Sequence, residues 1–420
     1  MCIGLQVIAL LFLIGAIILG FTKKMNVGVV CLGLSLILGK LGGMGAGDIY
    51  KGFPYKLFAT LLGTMLFFSL LQQNGTLEKI SKRLISLCGK NTFLVPIIVY
   101  LVSFGLSAAG PGAISVQSVT VIFAVSLAVQ MKVSPILMGI MAILGAVGGT
   151  ASPIALTGII VGDLLTEMGI EGIVNQIFIG VSISNLICAI VVYIVLGGYK
   201  FRAAESSESK KEKDPFNRSQ MISLAALLVM VVLVVGFSYD VGLICFTLSL
   251  VLMLAGAANE KTALKMIPWS VLILIAGVNV LMNITQKLGG IDLLASILAT
   301  FMTSRTAAPI MGVTGGIMSW FSSANGVVFP TLIPTVPEIA QQVGGASIIQ
   351  MVTSVVCSAT VAGISPLSTG GSLIMASYAQ ESGCDEKEQQ KMFGTLFALS
   401  AGVVAIVFVL GIIGVLGFIG

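Results

Sequence analysis

The sequence SFGLSAAG at residues 103–110 interrupts a long apolar stretch near its middle, and SWFSSANG at residues 319–326 interrupts another. The two octets share a Ser-x-x-x-Ser spacing and end in glycine at the same position. Each is flanked by apolar arms of about 15 residues, fewer than the roughly 20 that a helix needs to cross a bilayer. We therefore predict two re-entrant hairpins, over 92–131 and 305–342, each entering and leaving the membrane on one side.

A second pair of motifs breaks two longer apolar stretches. ASPI at residues 151–154 lies inside 134–165, and ISPL at residues 364–367 lies inside 345–380. Proline inside a helix removes a hydrogen bond and clashes with the preceding turn, so each stretch is predicted to be a broken helix. In each half of the chain a hairpin motif is followed by a Ser-Pro break, and the spacing between the two motifs is nearly equal. This indicates a repeated unit.

The composition indicates a membrane protein. Hydrophobic residues make up 57% of the 420 residues and charged residues 9%, against roughly 25% charged in a soluble domain. The 50 glycines fall largely within apolar stretches, as is common in transmembrane helices. Residues 1–21 lack a basic start and a cleavage site, so we predict a first membrane helix and not a signal peptide.

The apolar stretches predict ten crossings in an all-α polytopic membrane protein. Besides the two broken helices, the predicted crossings are 4–21, 25–40, 55–72, 172–198, 219–236, 240–256, 267–284 and 391–418. Each half then has five crossings and one re-entrant hairpin. An odd number of crossings inverts the second half, and inverted repeats with discontinuous helices are typical of secondary transporters.

Several function classes are excluded by the residue inventory. The chain has no histidine, and its seven cysteines are scattered without a C-x-x-C pair. This argues against an enzyme, a resident cofactor, a zinc site or a disulfide framework. The net charge of +5 comes without a basic run interleaved with aromatics, so no nucleic-acid partner is predicted.

The basic residues predict the orientation. Most of the 22 lysines and arginines fall on one face of the predicted topology, and such an excess marks the cytoplasmic side. This places the polar linker at 199–218 in the cytoplasm and both termini outside, with the chain in the cell's inner (plasma) membrane. The first hairpin then opens from the cytoplasm and the second from the exterior.

The break points carry no acidic or basic side chain. A binding site there would use hydroxyls, one amide and backbone groups. Free N–H groups at the start of each half-helix favour an anion, and the preceding carbonyls suit a hard cation. Pro153 and Pro366 are predicted to lie in the first turn of their half-helices. The alternative is that the serines bond back to their own helices and that the small residues only pack helices closely.

The candidate site residues lie at the hairpin tips and breaks. Asn325 is the only side-chain amide in the four motifs. The predicted substrate-binding residues are Ser107, Ala109, Gly110, Ser152, Pro153, Thr157, Ser323, Asn325, Gly326, Ser365, Pro366, Ser368 and Thr369. The predicted sodium ligands are Ser103, Ser107, Thr150, Ser152, Ser319, Ser323, Asn325 and Ile364.

At these motifs the sequence resembles the ion transporter superfamily. It is most similar to the malonate and dicarboxylate carrier branch, which is related to the divalent anion–sodium symporters. Those symporters carry Ser-Asn-Thr at both hairpin tips, where this chain has Ser-Ala-Ala at 107–109 and Ser-Ala-Asn at 323–325. Their Thr-Pro-Pro breaks are matched by Ser-Pro at 152–153 and 365–366.

The resemblance implies an elevator-type homodimer that dimerises through its scaffold. Residues 92–198 and 305–420 would be the two halves of the transport domain, and 1–91 and 219–304 the scaffold. It also implies secondary active transport of small carboxylates, such as C3 and C4 dicarboxylates, coupled to sodium. A proton-coupled carrier or an anion exchanger on the same fold is the alternative, and a channel is a further one.

Overall fold

The structure, a computed structural model, contains helices and turns and no β-strand within the residues that it describes. These are residues 3–23, 25–85, 92–200, 215–233, 237, 239–267, 269–382 and 386–417. The greater part of the predicted linker 199–218 lies outside the described residues.

The described residues of the first part of the chain form ten helices, and all but the short α3 and α5 fall on the predicted apolar stretches. They are α1 (Ile3–Thr22), α2 (Val27–Leu41), the short α3 (Ala46–Tyr50), α4 (Tyr55–Gln73), α5 (Thr76–Ile85), α6 (Val95–Ala108), α7 (Gly112–Gln130), α8 (Pro135–Gly149), α9 (Leu156–Glu167) and α10 (Val174–Val195).

The second part contains helices of similar length in a similar order. They are α11 (Arg218–Val231), α12 (Val241–Leu254), the short α13 (Glu260–Met266), α14 (Trp269–Lys287), α15 (Gly290–Ala299), α16 (Ala307–Phe321), α17 (Phe329–Leu332), α18 (Val336–Gln342), α19 (Ile348–Val361), α20 (Thr369–Ser382) and α21 (Glu386–Ile413). A turn of π-helix, Ala324–Val328, follows α16 at the predicted second hairpin tip.

Polar side chains fix where several helices begin. Asn26, Ser134, Asp240 and Ser347 precede α2, α8, α12 and α19, and each accepts a hydrogen bond from a backbone N–H of the first turn. Such caps satisfy donors that a helix leaves free at its start. The short loops between apolar helices are therefore specified locally.

Many of the described helices are suited to a membrane. Five apolar helical segments are long enough to cross a bilayer: Tyr55–Gln73, Gly112–Val129, Val174–Val195, Ile348–Ala379 and Lys387–Ile413. The pair Leu272–Lys287 and Gly290–Ala299 is bent by 82° and adds a sixth if it is counted as one span. Six other apolar helices are shorter, and the count of ten crossings remains a prediction. Helix α7, the second arm of the first predicted hairpin, has 19 residues and is longer than the arm of about 15 residues that the sequence predicts.

The arms of both hairpins pack beside the broken helices in parallel. Gly145 of α8 lies on Tyr100 and Ser103 of α6, and one turn later Gly149 lies on Phe104 and Ser107. Both helices therefore approach the break from the same end of the molecule. In the second part α16 follows α19 in the same way, since Gly312 contacts Ser354 and the Ser319 hydroxyl donates to the Ala359 carbonyl at 2.6 Å.

Two close glycine contacts join the early helices of the two parts. A Cβ on Gly28 of α2 would collide with the backbone of α14, and one on Gly277 would collide with Gly28. In the same way, Gly63 of α4 and Gly242 of α12 leave no room for a Cβ. Such contacts between small residues let membrane helices approach at backbone distance.

At one end of the molecule, polar contacts join α4 and α5 to α11 and to the segment before it. Asn74, after α4, donates to Ser223 of α11 at 2.7 Å, and Gln220 donates to the Asn74 carbonyl at 3.2 Å. Lys79 of α5 donates to the Pro215 carbonyl at 2.7 Å. Lys79 and Pro215 are both predicted to lie on the cytoplasmic side.

The buried apolar residues form two clusters. The larger one joins α4, the hairpins, the broken helices, α10 and α21. The smaller one joins α1, α2 and α14 around Leu13, Leu38 and Leu281. The hairpin tips and breaks therefore lie within the larger cluster.

Candidate functional site

The first hairpin tip meets the first break through a backbone donor. Ala113, in the first turn of α7, donates its N–H to the Thr150 hydroxyl at 3.2 Å. The chain reaches this point through Gly110 and Gly112, whose φ angles of 135° and 73° favour glycine. The glycines of the SAAGPG turn thus bring the start of α7 against the end of α8.

A chain of hydrogen bonds continues from Thr150 across the molecule. Thr150 donates to the Thr157 hydroxyl at 3.1 Å, and Thr157 donates to the Asn325 Oδ1 at 2.9 Å. The Ala113 N–H, Thr150, Thr157 and the Asn325 amide are called here the polar relay. It links the first hairpin tip, the first break and the second hairpin tip, so three of the four predicted break points meet.

The polar relay is buried and carries no formal charge. Thr150 and Thr157 are 1% and 0% exposed, and Asn325 is 9% exposed. Buried polar groups need partners, and the relay supplies them without an acidic or basic side chain. Among the described residues, the structure gives the Asn325 amide nitrogen no hydrogen-bond partner, so that nitrogen remains available as a donor.

Helices start around the relay. The first turn of α9 contains Thr157, α7 begins one residue before Ala113, and the Ser323 hydroxyl accepts from the Gly326 N–H at the second tip. Free N–H groups and the positive ends of the helix dipoles stabilise negative charge. The arrangement suits an anion without placing a lysine or arginine beside it.

Both Ser-Pro breaks fold into the same local turn. Ala155 donates to the Ser152 carbonyl at 2.9 Å, and Ser368 donates to the Ser365 carbonyl at 2.9 Å. Because these turns intervene, α9 begins at Leu156 and α20 at Thr369. The expectation that Pro153 and Pro366 lie in the first turn of the half-helices is therefore wrong.

Two glycines outside the predicted site residues complete these turns. A Cβ on Gly158 would collide with the Ser152 carbonyl, and one on Gly371 would collide with the Ser365 and Ile364 carbonyls. Each glycine lies six residues after its Ser-Pro serine, which is a signal that the sequence carries. The turn of each half-helix can close over the break only without a side chain there.

The predicted serine pairs differ in their surroundings. Ser103 and Ser107 are fully buried against α8, and their hydroxyls have no hydrogen-bond partner in the structure. Ser319 and Ser323 are engaged, with the Ala359 carbonyl and the Gly326 N–H respectively. None of the four hydroxyls is hydrogen-bonded to the relay in the described residues.

The remaining predicted residues lie at the tips and at the second break. Gly110 lies against Phe68 of α4, and Gly326 lies against Leu274 of α14, so each tip touches an early helix. At the second break, Ser365 and Pro366 are buried, Ser368 is half-buried and Thr369 is exposed. Pro153 at the first break is exposed.

The polar side chains at the centre are unequally distributed. The positions that match Thr150 and Thr157 at the second break are Gly363 and Gly370, and the position that matches Asn325 is Ala109. A second relay built on the other hairpin and break would therefore have no side-chain polar group. Hydroxyl and amide oxygens are ligands that hard cations accept, and only the first break and the second tip supply such a set together.

Comparison with known proteins gives one family. A family model described as CitMHS, citrate transporter, matches residues 9–323, well over half of the chain. The match includes the first hairpin, the first break and the second hairpin up to Ser323. No curated protein matches the chain.

Proposed function

The chain belongs to the CitMHS citrate transporter family, and from that premise we propose that it moves small carboxylates across the membrane by alternating access. It is a multipass membrane protein of a family of transporters and not of enzymes. This agrees with the ion transporter superfamily resemblance. The malonate and dicarboxylate branch, and C3 and C4 dicarboxylates as substrates beside citrate, are part of the proposal.

The observation that carries the proposal is the polar relay. A buried, uncharged set of hydrogen-bonding groups lies where helix starts and hairpin tips meet. The Asn325 amide nitrogen, which has no partner among the described residues, can donate to a carboxylate beside the helix starts, while the absence of a positively charged side chain lets the anion leave again. A transporter needs binding that is reversible from both sides.

Paired contacts support two inverted repeats. Gly28 in α2 contacts α14, which contains Gly277, and Gly63 in α4 contacts α12, which contains Gly242. The same shift along the sequence takes Gly28 to Gly242 and Gly63 to Gly277. Exchange of the two halves therefore maps one contact onto the other, as a pseudo-two-fold axis requires.

We further propose an elevator mechanism in a homodimer. The transport domain would comprise 92–198 and 305–420, and the scaffold 1–91 and 219–304 with the cytoplasmic linker 199–218 between the halves. Contacts of Gly110 with Phe68 and of Gly326 with Leu274 support this division, because they place each tip against a scaffold helix. Both termini would lie outside the plasma membrane.

Sodium is the proposed coupling ion. A dianion in a buried site without basic side chains gains stability from cations that bind with it. The hydroxyl and amide oxygens of Thr150, Thr157 and Asn325 support one cation position, and the unpartnered hydroxyls of Ser103 and Ser107 support another.

Uptake into proteoliposomes tests the function. Purified protein would be assayed with labelled citrate, malonate, succinate and, as a monocarboxylate control, acetate, with and without an inward sodium gradient. We expect saturable uptake of a di- or tricarboxylate that sodium stimulates. Uptake driven by a proton gradient and indifferent to sodium would favour the proton-coupled alternative, and flux that rises linearly without saturation would favour a channel.

A further inference from the structure

A cavity of about 230 Å³ lies away from the relay, between the proposed scaffold and transport domain. The chain before α4 and the first turn of α4 form one wall, and α14 forms a second. The far end of α9 and the second hairpin form the others. By the predicted orientation the cavity opens to the exterior.

Charged groups of both signs face this cavity. Lys51 and Lys56 line it from the α4 side, and Asp163 and Glu167 line it from α9. Lys51 is ion-paired with Asp48 at 2.9 Å. Lys56 is exposed, makes no ion pair with a described residue, and lines the same cavity as Asp163.

Amides on one face of α14 add hydrogen-bonding groups. Asn279, Asn283 and Gln286 line the cavity at helical spacing. Asn279 already donates to the Ile275 carbonyl at 2.8 Å, whereas the Asn283 Oδ1 is buried without a partner in the structure. An amide can present either its oxygen or its nitrogen to a ligand.

The cavity and the relay are separate positions on the same helix. Thr157 of the relay lies in the first turn of α9, and Asp163 lies six residues further along the helix. At 1.5 Å per residue this is about 9 Å along the helix axis. A small dicarboxylate bound at one position would therefore not fill the other.

From these observations we infer that the cavity is an outer binding site for the carboxylate substrate, in which the Lys56 ammonium contacts a carboxylate before the anion reaches the relay. The inference rests on the proposed function. Asp163 lines the same cavity with the opposite charge, so the two side chains act on the anion in opposite directions. Glu167 is exposed and also lines the cavity, and its negative charge repels the anion.

Uptake kinetics in intact cells test this inference. Lys56→Gln removes the charge and keeps the length of the side chain, and we expect KM for the transported carboxylate to rise about two- to fivefold, as for one exposed ion pair. The maximal rate per surface-expressed molecule should change little. Asp163→Asn removes a negative charge from the same cavity and should lower KM.

Two controls separate substrate binding by Lys56 from general effects of surface charge and folding. Lys40→Gln removes an exposed charge near the same end of the molecule but outside the cavity, and should leave KM unchanged. Raising the ionic strength with choline chloride should reduce the difference between wild type and Lys56→Gln, since salt screens exposed charges. A loss of folding would not depend on salt in this way.

The outcomes distinguish the two proposals. Saturable uptake by wild type with an unchanged KM in Lys56→Gln would overturn the outer site and leave the proposed function standing. An equal rise in KM for Lys40→Gln would also overturn it. If wild type takes up no carboxylate at all, the proposed function fails, and the outer site fails with it.

Discussion

The Thr157 hydroxyl is the one group of the polar relay that both accepts and donates a hydrogen bond between side chains. It accepts a hydrogen bond from the Thr150 hydroxyl and donates one to the Asn325 Oδ1. Thr157 is fully buried, so no solvent replaces either partner if the hydroxyl is lost. The orientation of the Asn325 amide therefore depends on this residue.

Thr157→Val keeps the shape and removes the hydroxyl. The buried Asn325 oxygen is then left without its donor, which costs on the order of 1–3 kcal/mol. We expect a higher KM for the carboxylate in uptake assays at equal surface expression. Thr157→Ser retains the hydroxyl and should stay close to wild type, and similar defects in both variants would mean that the methyl packing matters and the relay does not.

The sequence indicated some of these residues but not their connection. Asn325 stood out as the only amide in the four break motifs. Thr150 is predicted as a sodium ligand and Thr157 as a substrate-binding residue. Their hydrogen bonds to each other and to Asn325 depend on how two distant segments pack, and no local pattern carries that information.

At the scale of the helices, close backbone contacts hold the proposed scaffold together. Gly28→Ala would force a methyl group into the α14 backbone. Overpacking of this kind typically costs about 1–3 kcal/mol, so we expect a lower melting temperature in detergent. Gly63→Ala should behave alike, because it meets the backbone of α12 in the same manner.

Gly33→Ala is the matched control on the same helix. Gly33 is exposed, and a Cβ added there would have no neighbouring atom within 4 Å. Alanine forms helices better than glycine, so the melting temperature should be unchanged or slightly higher. Equal losses in Gly28→Ala and Gly33→Ala would show that the contact with α14 is not what stabilises the protein.

The apolar stretches of the sequence predict most of the helices, but the Ser-Pro motifs do not predict where α9 and α20 begin. The Ser-Pro motifs mark both interruptions because proline disrupts a helix wherever it falls. The half-helices begin three residues later than the prolines suggested, since a hydrogen-bonded turn follows each serine. The glycines at 158 and 371, which allow that turn to close, could have been found from their equal spacing to the two serines.

At the scale of the whole molecule, the two ends are predicted to face different compartments. Ser207, outside the described residues, belongs to the predicted cytoplasmic linker, and Gly47 is exposed near the opposite end. In a background without accessible native cysteines, Gly47→Cys should react with an impermeant thiol reagent in intact cells. Ser207→Cys should react only after the cells are opened, and the reverse pattern would overturn the orientation.

The repeated order of the helices could be predicted from sequence, whereas the unequal chemistry of its centre was visible only in part. Matching octets and Ser-Pro motifs indicated two equivalent halves. Side chains then distinguish the halves, because Asn325, Thr150 and Thr157 have Ala109, Gly363 and Gly370 as their counterparts. Packing brings the polar set of one half against the polar tip of the other.

The central claim is that the polar relay at Asn325 binds the substrate. Its most direct test is the KM for carboxylate uptake by Asn325→Ala, compared with Ala109→Ser at the matching tip and with equal amounts of folded protein in the membrane. Loss of one buried partner should weaken apparent affinity by about 1–3 kcal/mol, and Ala109→Ser, which adds only a hydroxyl, should have a milder effect. Unchanged affinity and unchanged cation dependence in Asn325→Ala would contradict the claim and reduce the amide to a turn former.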